Sequence, residues 1–308
     1  VLTITLNPAI DLELVVPAWR PRDVMRTERV SRGAGGKGLN VARVLTTLGV
    51  PALATCPLGG AERPVFESLL APAKFAFQAL EIAGDVRTNV TLSAAGKSVC
   101  KVNQPGPRIS AHEWHALKTE LATLCAGKAW VVIAGAPAPG LPTGAYAELT
   151  RLAHAAGAQV ALDCAGPALA AALAEHPDLI KPNRTELAAT VGRNLPTRAA
   201  LLKAMREMQS RGARRVVVTD GGRALWGLPT ATDAAPGLCR VQPPRVAVQG
   251  VVGAGDACLA GLIAALLRGR PLAEALKWGA ACGAATSALP DPQFPTRREI
   301  KAALARVE

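Results

Sequence analysis

Residues 130–163 read WVVIAGAPAPGLPTGAYAELTRLAHAAGAQVALD. The run 130–133 is apolar and β-branched, and glycine and proline follow it closely, so it reads as a short buried strand. Residues 146–155 carry apolar side chains at helical spacing, and 160–163 form a second strand ending on Asp163. Working outward, the alternation continues. Helices are predicted at 168–174, 185–191 and 199–209, with strands at 179–181 and 215–219. This pattern predicts an α/β chain with a doubly wound, mostly parallel sheet covered by helices on both faces. Toward the N-terminus, strands at 1–6 and 51–57 bracket a helix at 39–48 that stops at Gly49. A short helix is read at 66–70. Ser110 with Glu113 at capping-box spacing opens another helix, running to about residue 124.

Two β-rich pieces, 9–32 and 85–105, break the alternation. The first holds a short strand at 12–16 and a polar, β-compatible stretch at 24–30. The second reads as a hairpin of 86–92 and 97–102 joined by Ser93-Ala94-Ala95-Gly96. They predict a small β-sheet lid beside a core made of 1–8, 33–84 and 106–308. Residues 229–244 read as a loop with an edge strand.

The composition excludes several function classes. Of 308 residues, 50% are hydrophobic and 19% charged, an ordinary globular balance. The longest apolar stretch, 257–267, is too short to cross a bilayer, and residues 1–6 read as a strand rather than a leader. The seven cysteines are dispersed without a CxxC pair, which predicts no disulfide framework or zinc ribbon and a cytoplasmic location. His112 and His115 share a helix without partners at metal-ligand spacing. The net charge of +12 suits anionic ligands. Its basic residues are scattered and aromatics make up 3%, so small anions are expected and nucleic acid is not.

Two glycine-rich segments carry the chemistry. In Gly33-Ala34-Gly35-Gly36-Lys37-Gly38, three glycines satisfy GxGxxG. The preceding Glu28-Arg29-Val30-Ser31-Arg32 is too polar for the buried strand of a dinucleotide fold. Gly38 also stands where a Walker A loop needs Ser or Thr. What remains is a lysine at a helix start among exposed amides, suited to an anion or to sugar hydroxyls. The second segment, Gly250-Val251-Val252-Gly253-Ala254-Gly255-Asp256, leads into an apolar helix at 256–267. Asp256 is there either an N-cap or a carboxylate able to take a proton from an attacking hydroxyl beside uncovered amides; local chemistry leaves both open.

Gly35-Gly36-Lys37-Gly38-Leu39-Asn40-Val41-Ala42-Arg43 and Gly253-Ala254-Gly255-Asp256 resemble the two signatures of the ribokinase-like superfamily, closest to its phosphofructokinase B branch. Thr5-Leu6-Asn7-Pro8-Ala9-Ile10-Asp11, Leu58-Gly59-Gly60, Arg87-Thr88-Asn89-Val90 and Lys181-Pro182-Asn183-Arg184-Thr185-Glu186 extend the resemblance over nearly the whole chain. It implies an ATP-dependent, Mg²⁺-assisted kinase acting on a hexose phosphate. Asn7 to Asp11 resembles kinases of phosphorylated hexoses, and residues 102–107 resemble 1-phosphofructokinases. The expected reaction is fructose 1-phosphate to fructose 1,6-bisphosphate. Tagatose-6-phosphate kinase, 6-phosphofructokinase and a non-catalytic sugar-phosphate sensor of the same fold stand as alternatives.

The resemblance also implies roles. Asp256 matches the catalytic base, and Gly253, Ala254 and Gly255 match the anion hole. Asp11, Gly35, Gly36, Lys37 and Asn40 line the sugar site, with Lys37 and Arg87 suited to its phosphate. Asn183 and Glu186 match the element that organises Mg²⁺, through water, and the nucleotide phosphates. Lys181, Thr219 and Gly221 fall at ATP contacts, and Cys282 and Gly283 are expected to flank adenine. Gly250-Val251 and Ala136 stand where the family usually carries hydroxyls. An exposed lid sheet has an apolar face to hide, which predicts a homodimer through the lid.

Overall fold

In a computed structural model, residues 1–94, 97–230 and 237–308 are described. The strands are β1 (Leu2–Ile4), β2 (Ala9–Val16), β3 (Arg29–Gly35), β4 (Leu53–Leu58), β5 (Ala76–Glu81), β6 (Arg87–Ala94), β7 (Lys97–Asn103), β8 (Trp130–Ala134), β9 (Gln159–Asp163), β10 (Leu179–Ile180), β11 (Arg215–Thr219), β12 (Leu225–Leu228) and β13 (Cys239–Val241). The helices are α1 (Lys37–Thr47), α2 (Arg63–Leu70), α3 (Ala111–Cys125), α4 (Ala145–Ala155), α5 (Gly166–Ala172), α6 (Arg184–Val191), α7 (Arg198–Ser210), α8 (Ala254–Leu266), α9 (Leu272–Ser287) and α10 (Arg297–Leu304).

Nine strands form one sheet in the order β13-β12-β11-β10-β9-β8-β1-β4-β5. All its pairs are parallel except β11 with β12 and β12 with β13. Side-chain alternation divides the core in two. Trp130, Val132 and Ala134 of β8 pack with α1, α8 and α9 residues on one face. Val131 and Ile133 pack with α3, α4 and α7 residues on the other. The apolar helix α8 is buried along nearly its whole length, which explains why it has no polar face.

The sequence reading and the structure differ in places. Glycines 33 and 35 end strand β3 instead of standing in a loop, because the ladder with β2 continues to the pair Ala9↔Gly35. The glycine-rich turn does follow a strand, then, but an exposed antiparallel one rather than a buried parallel one. β2 begins at Ala9, three residues before the predicted start. Strands β5 and β12 were not anticipated. The joining residues Ala95 and Gly96 of the predicted hairpin lie outside the described residues, and 231–236 of the predicted 229–244 loop do too.

The second sheet has the order β3-β2-β6-β7. The registers Leu14↔Val30, Leu12↔Val90, Leu14↔Leu92 and Val90↔Val102 put these apolar residues on one face. Asp11↔Asn89 and their neighbours occupy the other. Among the described residues no helix is long and apolar enough to cross a membrane, and no two cysteines are joined by a disulfide.

Candidate active site

The order of the large sheet reverses around β1, since the chain runs from β1 outward to β4 and β5 and then returns to build β8 on the other side. Such a reversal leaves a crevice at the carboxyl ends of the strands. Those ends supply Asn7 after β1, Gly135 after β8, Asp163 on β9, Lys181 after β10 and Thr219 on β11. All five line one cavity of about 400 Å³. Asp11 and Asn89 close it from the second sheet, and Asp256 from α8.

The structure removes the N-cap alternative for Asp256. It is the third residue of α8, whose N-cap is Gly253, and no side chain caps the helix. Its carboxylate instead accepts a hydrogen bond from Asn40 Nδ2 at 2.8 Å. Burial, and next the repulsion of Asp163, push its pKa up to about 6; Asn40, Lys37 and Lys181 pull the other way. A buried carboxylate with a raised pKa is a better proton acceptor than an exposed one. Gly253 lies in the left-handed region at φ 78°. A Cβ there would come within 2.9 Å of the Phe294 ring. Gly253→Ala is expected to lose at least about 1–2 kcal/mol of stability, read as a lower Tm; an unchanged Tm would contradict the tight packing.

Asp163 was not singled out from sequence. It is 1% exposed, with Oδ1 3.3 Å from Lys37 Nζ and Oδ2 3.2 Å from Lys181 Nζ. Burial alone would lower the pKa of Lys181, but Asp163, Cys258 and Asp256 outweigh it and hold the ammonium charged. The same balance raises Lys37, through Asp163 and Asp256. Asn89, also not singled out, donates from Nδ2 to Asp11 Oδ1 at 3.0 Å. Burial raises the pKa of Asp11 against that hydrogen bond and the charge of Arg87. A side chain at Gly35 would collide with the Asp11 carboxylate, which is why glycine is required there. Arg87 donates to the carbonyl oxygens of Asn7, Pro8 and Gln104, so its guanidinium is fixed at the cavity wall.

Asn183 and Glu186 form a capping box at the start of α6: Asn183 Oδ1 accepts from the Glu186 amide and Glu186 Oε2 from the Asn183 amide, both at 2.8 Å. Both residues line the same cavity, and among the described residues only Oε2 of the Glu186 carboxylate accepts a hydrogen bond. Among the described residues no cluster of three or more His, Cys, Asp or Glu could hold a metal by itself. One carboxylate in the cavity wall suits Mg²⁺, which keeps most of its ligands as water and phosphate.

Thr219, Val251 and Gly255 also line a second cavity, of about 320 Å³. Gly221, Ala254 and Gly283 stand in its wall. Cys282 does not. It lies fully buried with its Sγ toward Gly261 of α8, because the turn of α9 that presents Gly279, Ala280, Gly283 and Ala284 to the cavity points residue 282 away. The thiol that reaches the cavity is Cys258.

Residues 4–298 match the pfkB family carbohydrate kinase profile. The chain belongs to the pfkB family. It is 38% identical to the 1-phosphofructokinase of Xanthomonas campestris pv. campestris over 276 residues, covering 86% of this chain and 84% of the relative. It is 34% identical to the 1-phosphofructokinase of Rhodobacter capsulatus over 308 residues, covering 99% and 96%. The phosphofructokinase-2 of Escherichia coli in complex with fructose-6-phosphate superposes with a TM-score of 0.88 at 29% identity, covering 99% of this chain and 98% of that one. This pfkB protein is therefore an ATP-dependent carbohydrate kinase of ribokinase-like fold, with a nine-strand core sheet and a four-strand lid sheet.

Proposed function

We propose that this kinase transfers the γ-phosphoryl group of ATP to a hydroxyl of fructose 1-phosphate, giving fructose 1,6-bisphosphate and ADP. The observation that carries the proposal is the placement of Asp256. Its buried carboxylate lines the first cavity next to Gly255, which lines both, so a sugar in the first and a nucleotide in the second would approach each other near it. Asp256 accepts the proton of the attacking 6-hydroxyl. The oxygen forms a bond to the γ-phosphorus as the bond to ADP breaks. The N–H groups of Ala254, Gly255 and Asp256 belong to the first turn of α8 and have no partner within the helix, so with the Gly253 turn they serve as an anion hole at its positive end.

Asp11 and Asn40 hold the sugar hydroxyls, with Gly35 and Gly36 permitting close approach. Lys37 and Arg87 hold the sugar's own phosphate. Asn183 and Glu186 would hold Mg²⁺ through water, where it neutralises phosphate charge. Lys181 and Thr219 face the donor phosphates, and Gly221 and Gly283 the nucleoside. Relatives named 1-phosphofructokinase favour fructose 1-phosphate. The likeness to a fructose-6-phosphate complex keeps 6-phosphofructokinase as the second reading. Initial rates of ADP release with MgATP and fructose 1-phosphate, fructose 6-phosphate or tagatose 6-phosphate separate them. Preference for fructose 1-phosphate is expected; preference for either 6-phosphate would overturn the substrate assignment.

The lid is also the proposed dimer interface. Val30 and Val102 on its outward face are 53% and 58% exposed. A homodimer would cover that face. Wild type is expected to sediment as a dimer at micromolar concentration and Val102→Asp as a monomer. A monomeric wild type would refute the interface.

A further inference from the structure

The second cavity has a composition that bears on which nucleotide the kinase accepts. Its walls are apolar or lack side chains altogether: Pro243, Val246 and Val248 on one side, Gly279, Ala280 and Ala284 on the other. Among the described lining residues the only hydroxyl side chains are Thr219 and Ser287, and the Cys258 thiol is a weak hydrogen-bonding group. Thr219 also lines the first cavity, beside Asn183 and Glu186, and so stands at the phosphate end. That leaves Ser287 for the base. A hydroxyl rotates to donate or to accept.

Adenine and guanine present opposite groups at position 6, an amino donor and a carbonyl acceptor. A site rejects one of them strongly only if a fixed, buried donor or acceptor is left unpaired by the wrong base. No side chain among the described lining residues of this cavity is such a group. We propose that the base of the donor nucleotide is held by shape and apolar contact alone, so that the kinase uses GTP and ITP as well as ATP, with Ala284 on α9 setting the space available to the ring. This rests on seating the donor nucleoside in the second cavity.

Two measurements test it. The first needs no sugar: dissociation constants of MgATP, MgGTP and MgITP from ligand-induced shifts in thermal unfolding of the full chain. The second compares kcat/KM for the three triphosphates with the acceptor that turns over fastest. Values within about 100-fold of one another are expected, the range an apolar pocket can impose. GTP or ITP weaker than ATP by more than that would overturn the proposal and assign base reading to the backbone of residues 245–248. In addition, Ala284→Leu is expected to raise KM for ATP and GTP together by at least about tenfold, with a smaller change in kcat. If that folded variant bound both nucleotides normally, the base would lie elsewhere. Turnover failing with every acceptor while nucleotides bind would sink the proposed reaction and leave base tolerance to the binding data. Binding of no nucleotide would sink both.

Discussion

Asp256→Asn is expected to lower kcat by about 10²–10⁴-fold, the usual contribution of a positioned base, and to leave the fold at least as stable as wild type. The two halves have one origin. Burial, reinforced by Asp163, raises the Asp256 pKa from 3.8 to about 6. Between those values the folded protein binds the proton that the unfolded chain releases, so this group's contribution to stability falls as pH rises through that window. At neutral pH the ionised carboxylate therefore costs the fold on the order of 1–3 kcal/mol. An asparagine keeps the shape and the Asn40 neighbour but carries no charge. Its Tm should stay level or rise while turnover collapses. The same pKa sets the acid limb of the wild-type kcat/KM profile near pH 6, since the protonated form cannot accept the hydroxyl proton. A mutant that turned over normally would remove Asp256 from catalysis; one that lost activity through unfolding would say nothing for a base and would contradict the expected stability.

Asp163→Asn is the second large effect. One carboxylate sits between two ammonium groups, Lys37 at 3.3 Å and Lys181 at 3.2 Å. Lys181 is 3% exposed, so removing its partner leaves a buried charge uncompensated, at a cost on the order of 3 kcal/mol. The lysines would then turn toward Asp256, the carboxylate that after Asp163 most raises both of their pKa values. If Asp256 is the base, Asp163 is a positioning residue that draws Lys37 to its own carboxylate at 3.3 Å. Losing its repulsion lowers the Asp256 pKa, so the acid limb should move to lower pH while kcat falls. Denaturant unfolding reads the first effect and the pH–rate profile the second. A large loss of kcat with an unmoved acid limb would assign Asp163 a structural role only.

The core was legible because its parallel strands are continuous apolar runs, as at β8 and β11. The strands that escaped notice lack that signal. β5 reads Ala-Phe-Gln-Ala-Leu-Glu with no β-branched residue and sits at the sheet edge on β4. β12 has four residues, one of them glycine, and exists through its antiparallel pairing with β11. The lid's polarity hid how far β3 runs, although its alternation, read in register, separates the Asp11 face from the valine face.

Within the site, glycine-rich signatures mark Lys37 and Asp256, yet neither predicts what touches them. Asn40 meets Asp256 across 216 residues and Lys37 meets Asp163 across 126. Asp163 and Asn89 looked like strand residues because only the folded crevice gives them partners. Cys282 failed as a wall residue for a local reason: its angular position on α9 turns it toward α8.

The most direct test of the proposed reaction is product analysis. Purified protein is incubated with MgATP and fructose 1-phosphate, with Asp256→Asn run in parallel. Stoichiometric ADP and fructose 1,6-bisphosphate from wild type, and neither from the variant on the same timescale, is the expected result. ADP without the bisphosphate, or equal product from both proteins, would contradict it.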